Sequence, residues 1–472
     1  MPSRPLIHWG RARGLLAATV MLVACMSARP VHAWTQPDTI VRQAGVPRHA
    51  GIATLVPELS VGTVDGPIEY AFVRVTDIAS GPDGSFFVLD VPFGATPFLR
   101  QYDASGRYVR TIGRLGRGPG EYTGPAGITV LSDGRILLLD GLGARINLYS
   151  PRGEVIDTWQ MRDYRSDFVT GTGGALMRRG PDDIVTIEAR VRRAERPMTP
   201  DRFARVVVIR LRSDGTMIDT IPEPELSQPP GASVARVNRR PDGTIGSFAV
   251  STVPYAPQAM WAWSPLGYAV TGIASRYAFE LRVPPVSSAV WNEGDPVISI
   301  RRAYTPITVA REERSARADR LRAALERGTG TVEGPIPPVP DRKPPYTSIA
   351  VGDDGRFWVH ISTPSEKYAP PPPEARRTAG MSGASGGAPA TRPAGAPLPV
   401  VPWREPTVYD VFEPDGTYLG QVGVPYDTRL VRMKGDIVWA VVVNEDDVPI
   451  VKRYRLAWGR EDAENGHDHF NR

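Results

Sequence analysis

Apolar and polar positions alternate in short runs along most of this chain. The alternation is clearest from Phe72 to Trp159. There FVRVTDIASGPDGSFFVLD is followed by FLRQYDASGRYVRTIG, then by RLGRGPGEYTGPAGITVLSDGRILLLD and RINLYSPRGEVIDTW. Runs of this length bounded by Gly, Pro, Asp and Ser predict strands joined by tight turns. Pro82-Asp83-Gly84 and Ser132-Asp133-Gly134 supply a side-chain acceptor followed by a position that takes a positive φ. Two units therefore stand end to end, each with an apolar strand, an Asp-Gly turn, a strand ending in Asp, a third strand, a second Gly turn and a fourth strand. Gly84 and Gly134 are 50 residues apart, and Gly106 and Gly153 are 47 apart. Four short strands at that period are the pattern of propeller blades.

The same pattern continues with interruptions. A third unit spans residues 167–221, with a basic, Pro-containing excursion at 190–201. A fourth begins with strands at 233–238 and 246–253 and continues through 259–273. Two further strands at 277–283 and 297–302 leave its boundary open. Residues 308–327 predict one helix: Thr308 can cap it, Glu312 and Glu313 sit in its first turn, Glu313 and Arg317 form an attractive i,i+4 pair, and Gly328 can stop it. A Pro-rich linker, 334–345, leads to a fifth unit from Tyr346 to Val422. It is interrupted at 369–402 by a Pro/Gly-rich run too poor in bulky apolar residues to build a core, expected to be a disordered loop. The sixth unit, 430–456, offers three strands. The strand at 52–62 has no neighbour in sequence and is expected to pair with it, closing a ring of six.

The stretch 113–120, followed by Glu121-Tyr122 and Pro125 to Ile128, resembles the blade linker of NHL-type repeats, and 134–140 with 145–153 fits the same repeat. More broadly the chain is similar to bacterial exported six-bladed β-propeller proteins of NHL-like type. The resemblance implies an all-β fold of residues 52–458, closed by the N-terminal strand and carrying one inserted helix. It implies no particular activity, because propellers host many.

Charge and cysteine content narrow the picture. The net charge is +5, but residues 1–33 contain Arg4, Arg11, Arg13 and Arg29 and no acid, leaving +1 for the remainder. That balance gives no electrostatic reason to expect nucleic acid as a partner. The basic start and the apolar run 14–24 read as a signal peptide, 1–33, hence export to the periplasm or beyond. Val31-His32-Ala33 suits release. Leu22-Val23-Ala24-Cys25 resembles a lipobox, which would lipidate Cys25 and tether the protein to a membrane. Cys25 is the only cysteine, so the exported domain relies on burial and strand pairing rather than disulfides. Residues 34–51 and 459–472 are expected to be flexible, and the protein is expected to be a monomer.

The chemistry-bearing residues are few. Of the histidines, His360 alone falls within a predicted blade, where a satisfied structural role is expected. The Gly116-Arg-Gly-Pro-Gly120 run precedes a strand, not a helix, so it reads as an interblade loop and not a phosphate site. Asp90 and Asp140 end equivalent strands and Glu188 is aligned with them; together they are the candidate ligands for a channel cation, Ca²⁺ being the cofactor such oxygens would take. The competing reading is that an Asp ending a strand accepts hydrogen bonds from the next turn. Trp261 and Trp263, near Tyr255 and Tyr268, could stack on a ligand, but interblade packing explains them too. The arginines of 190–196 could form a basic rim, although solvated loops carry such runs as well. With no catalytic set, the preferred function is non-catalytic binding of a protein, peptide or glycan at one mouth of the ring. The alternative is a metal-dependent hydrolase, lactonase or lyase acting through Asp90, Asp140 and Glu188.

Overall fold

The Asp-Gly turns form as their composition requires. Gly84 and Gly134 sit at φ 83° and 86°, the left-handed region that costs glycine nothing. In the first of them the Asp83 carboxylate accepts the Ser85 N–H at 3.0 Å, and the Gly81 N–H closes the loop on the Ser85 carbonyl at 2.8 Å. A computed structural model of the protein describes residues 40–161, 177–191, 205–283, 296–369 and 398–459. The expected signal peptide with Cys25, residues 192–201 of the expected excursion, residues 370–397 of the Pro/Gly-rich run and the tail from 460 lie outside the described residues.

Within them the strands assemble into a six-bladed β-propeller. Blade one contains Val75–Ser80, Phe86–Asp90, Phe98–Tyr102 and Tyr108–Ile112. Blade two contains Pro125–Val130, Ile136–Asp140, Arg145–Tyr149 and Val155–Gln160. Blade three runs from Met177–Arg179 through Val185–Val191 and Arg205–Leu211 to Met217–Pro222. Blade five is Tyr346–Val351, Phe357–Ile361, Thr407–Phe412 and Tyr418–Val424. Blade six is Thr428–Lys434, Ile437–Val443 and Pro449–Ala457, completed by Ile52–Val61 from the other end of the chain. The closing strand is antiparallel to its neighbour, with Leu55 opposite Leu456, Leu59 opposite Arg453 and Val61 opposite Val451. Ala53 and Val61 are buried by this closure, and each buried aliphatic side chain of valine size contributes roughly 1.5–3 kcal/mol.

Blade four settles the boundary that sequence left open. Its strands are Ala259–Ser264, Tyr268–Ile273, Ala278–Arg282 and Pro296–Arg301, and Ile40–Gln43 adds a fifth, parallel strand at its edge. The pair Ser233–Arg239 and Ile245–Thr252, expected to open this blade, instead forms a separate sheet with Thr331–Val332. The helix, Arg311–Glu326, lies against that sheet, where Leu321 and Leu325 pack with Val234, Val253 and Ala256. Two of its expected end signals act differently. Ala310, not Thr308, is the N-cap and makes no side-chain bond, while Thr308 forms a bridge to Arg342. At the other end, Arg236 donates to the Leu325 carbonyl at 2.7 Å, and a Cβ on Gly328 would meet its guanidinium at 1.5 Å. A side chain at 328 would make the guanidinium shift from its place, where it satisfies helix-end carbonyls.

The segment expected to be flexible, 34–51, is a strap over its described part. After Ile40–Gln43, Ala44 donates to Arg301 at 2.8 Å, and Arg48 and His49 donate to Tyr418 and Leu419 at 3.0 and 2.9 Å. The strap thus crosses blades four and five before entering blade six, and His49 stacks on Trp458 at 4.6 Å. Large aromatics fill the spaces between sheets. Phe279 of blade four meets Phe357, Phe412 and Tyr346 of blade five, and Phe86 of blade one meets Trp439 of blade six.

Candidate functional site

The first strands of blades line the axis and contact their neighbours. Blade six sends Arg432 into this space, where it is 6% exposed. Its guanidinium donates to the two Asp77 carboxylate oxygens at 3.2 Å each and to Asp353 at 3.1 Å. It also donates to the carbonyls of Ile78, Ile128 and Met177 at 3.0, 2.7 and 2.8 Å. One cation from blade six is therefore bound to blades one, two, three and five. Only a planar fork with five N–H donors satisfies so many acceptors at once. Asp77 accepts the N–H groups of Ile78 and Ile128 as well, at 2.9 Å each. Burial pushes the Asp77 carboxyl upward against the pull of Arg432. Arg178 of blade three, also buried, donates to the Val351 carbonyl of blade five, and burial pulls its pKa down against the nearby charges of Glu188 and Asp353. The axis is held by internal ion pairs.

The residues singled out in sequence fall as follows. Asp90 accepts the backbone N–H groups of Val73 and Arg74, the latter at 2.6 Å, and burial raises its pKa despite those bonds. Asp140 repeats the arrangement one blade on, accepting Thr123 and Gly124 N–H at 3.1 and 2.8 Å and pairing with Arg145 at 3.1 Å. Each carboxylate pins the incoming linker of its own blade. Glu188 is out of line with them. Turn-closing bonds end on Ser85, Arg135 and Ile184, and counting five residues onward gives Asp90, Asp140 and Ala189. Glu188 corresponds to Leu89 and Leu139, on the other side of the strand. Among the described residues no group of three or more His, Cys, Asp or Glu side chains converges as a metal-binding set. His360 shares a bond with Thr347 at 2.9 Å, stacks on Tyr409, and has its pKa lowered by burial. Trp263 is buried in the core with Trp261 packed on the same cluster. The glycine-rich loop is satisfied from within the protein: the Gly116 and Arg117 carbonyls accept from Arg145, and the Gly118 N–H donates to the Glu121 carboxylate at 2.8 Å.

A second polar cluster was not foreseen. Strand order sends the first-to-second and third-to-fourth connections of every blade to one face and the others to the opposite face. The first, the turn face, carries mostly tight turns. The opposite, the loop face, receives the 233–252 hairpin, the helix, the 334–345 linker and the blade-five interruption. There Lys343, 3% exposed, donates to Ser365 Oγ at 2.7 Å, to the Thr363 carbonyl at 2.6 Å and to Glu405 at 3.1 Å. Ser365 in turn donates to Glu313 at 2.8 Å, and Glu313, 1% exposed, also accepts from Arg317 and Tyr255. Tyr255 reaches Glu405 at 3.0 Å from a backbone at φ 61°. That conformation is rare for a non-glycine residue and persists only where surroundings hold it.

Burial lowers the Lys343 pKa, with Glu405 opposing, and raises that of the Tyr255 hydroxyl. Burial would raise Glu313, but the bonds from Tyr255, Ser365 and Arg317 outweigh it and hold this carboxyl low. The hydrogen bonds run from Lys343 to Ser365 to Glu313, so the serine accepts from an ammonium and donates to a carboxylate. The cluster fastens five segments: the hairpin exit, the helix, the linker and both stems of the blade-five interruption. Glu313 and Arg317 were legible as a helix pair. Lys343 had one signal, its being one of four lysines in an arginine-rich chain; Ser365 and Glu405 had none.

Comparison with family models agrees with the architecture. A family model described as a 6-bladed beta-propeller matches residues 83–186. Similar solved structures include a putative exported protein from Bacteroides fragilis, 12% identical over 89% of this chain and 99% of that one, with a TM-score of 0.42. A member of the duf4221 family from Bacteroides vulgatus is 10% identical over 88% of this chain and 100% of its own, with a TM-score of 0.45. An aldose sugar dehydrogenase from Streptomyces coelicolor, in its PQQ-bound form, is 14% identical over 87% and 100% of the two chains, with a TM-score of 0.37. No curated protein shows a match.

Proposed function

We propose that this six-bladed propeller is an exported binding protein that holds a protein, peptide or glycan on its loop face, acting as a monomer with no nucleic-acid partner. The observation that supports this most is the asymmetry of the two faces. The hairpin, the helix and both stems of the blade-five interruption gather on one of them and are locked together by the Lys343–Ser365–Glu313 cluster. Loops fixed on a rigid scaffold are where recognition surfaces form. The same face leaves Ile68, Val73, Phe93 and Leu142 exposed, apolar surface of the kind that marks interaction sites when it is grouped.

The blade-five interruption gives a clean test. Its stems already form a ribbon, Glu366–Lys367 paired with Trp403–Arg404, closed by Tyr368 donating to Pro402 at 3.3 Å. Replacing residues 370–397 with a short Gly/Ser linker therefore leaves blade five intact. The expected result is an unchanged thermal midpoint and loss of the molecules captured by the wild-type protein from the exported fraction. Identical capture by the two forms would remove this loop from the binding surface and count against the proposal.

A further inference from the structure

We infer that the groove between the helix and residues 336–339 is a docking site for an acidic, aliphatic peptide segment of a partner protein. The inference rests on the reading that the loop face binds ligands, and it narrows the ligand class. The groove is open to solvent and has a volume of about 530 Å³, within the range of about 300–1,000 Å³ typical of ligand sites. Arg311, Arg314, Ser315, Ala318, Leu321 and Arg322 form its helix wall, at spacings of three and four that put them along one stripe. Ile336, Pro337 and Pro338 form the opposite wall, stiffened by two prolines whose φ is fixed.

Floor and rim carry different chemistry. Leu321 and Val339 are buried at the base, and Ile336 is 39% exposed. No aromatic ring lines the groove. Aliphatic walls offer burial to aliphatic side chains, whereas sugar rings are held by aromatic faces, so the lining favours peptide over glycan. The rim is cationic. Arg322 is paired with Asp319 at 3.1 Å, but among the described residues no carboxylate lies within ion-pair distance of Arg311 or Arg314. Nearby Glu313 points away into the Lys343 cluster and is consumed there. Two uncommitted guanidiniums over an apolar trough complement a segment that alternates Asp or Glu with Leu, Ile or Val.

The test uses the full exported chain and a synthetic array of short peptides alternating acidic and aliphatic residues, each beside its Asn/Gln isostere. Binding is read by fluorescence anisotropy at low and moderate salt. Acidic peptides should bind at least about tenfold more tightly than their isosteres, and added salt should shrink the difference. The double variant R311E/R314E should lose that preference at least about tenfold while keeping the wild-type melting curve, since both side chains project to solvent or its margin. Ile336→Asp should weaken the same peptides through the apolar wall. Equal binding of acidic and neutral peptides, or no binding of either, overturns the inference. Acidic peptides that bind the double variant as well as the wild type overturn it too, while leaving the loop-face reading to the linker-replacement experiment.

Discussion

Two buried charge clusters divide the labour of this molecule. The axial one, centred on Arg432, is buried apart from the partly exposed Asp353 and joins blades that are distant in sequence: Arg432 and Asp77 lie 355 residues apart. The loop-face one, centred on Glu313 and Lys343, is buried at its heart but opens through Tyr255, Glu405 and Arg317, which are partly exposed. Both satisfy charge with charge. The axial cluster holds the ring, and the loop-face cluster holds insertions that the ring does not need. The difference teaches where a propeller keeps rigidity for its fold and where, on the function proposed above, it keeps rigidity for recognition.

The comparison breaks most visibly at the axis. Arg432→Leu leaves Asp77 buried without its cation and strips five carbonyl and carboxylate partners in blades one, two, three and five. Losing one partner of a buried pair costs about 3–5 kcal/mol. Chemical denaturation should show a loss of that order, and Arg432→Lys should not restore it, because one ammonium cannot reach acceptors on four blades. A loss below about 1 kcal/mol would show that the axis is not a keystone.

A smaller effect is expected on the loop face. Glu313→Gln keeps one acceptor oxygen but removes the negative charge shared by Arg317, Ser365 and Tyr255 and should cost about 1–3 kcal/mol. It should be read as faster proteolysis of the helix and the blade-five stems with the blades still protected. The pH dependence sharpens the contrast. Glu313 has a folded pKa below its ordinary 4.5, so its contribution is complete above that value and disappears as pH falls through the lower folded value. Wild type should lose loop-face protection in that acid window. The Gln variant should show a flatter profile there, and identical profiles would remove Glu313 as the acid-sensitive group.

The smallest expected effect is that of added Ca²⁺. Asp90 and Asp140 already accept backbone N–H groups, and Glu188 lies on the other side of its strand. A thermal scan with and without Ca²⁺ or chelator should therefore move by no more than about 1 °C. A rise of several degrees, which saturating a tight site produces by linkage, would return those acids to the candidate list and favour the hydrolase alternative.

Much of the ring was legible because its signals are local. Asp-Gly turns, period-two strands and the near-50-residue repeat define blades one and two from contiguous residues. The unpaired strand at 52–61 announced its distant partner by having no near one. The helix was legible within a few residues of its ends, and so was its Glu313–Arg317 pair. Blade four was not, because the 233–252 hairpin has the same alternation and the same Asp-Gly turn as a true blade, and only its pairing with Thr331–Val332 sets it aside.

What the sequence determined by itself is the set of pieces: which segments extend, where they turn, and that the ends must meet. Only the tertiary structure decided which charges share a dielectric. Arg432 is one arginine among many until four other blades bring Asp77, Asp353 and three carbonyls around it, and Glu188 reads as a match for Asp140 until register turns it to the opposite side. Turn and strand preferences are fixed by neighbours in the chain, whereas burial of a charge depends on residues hundreds of positions away, for which the linear order carries no local trace.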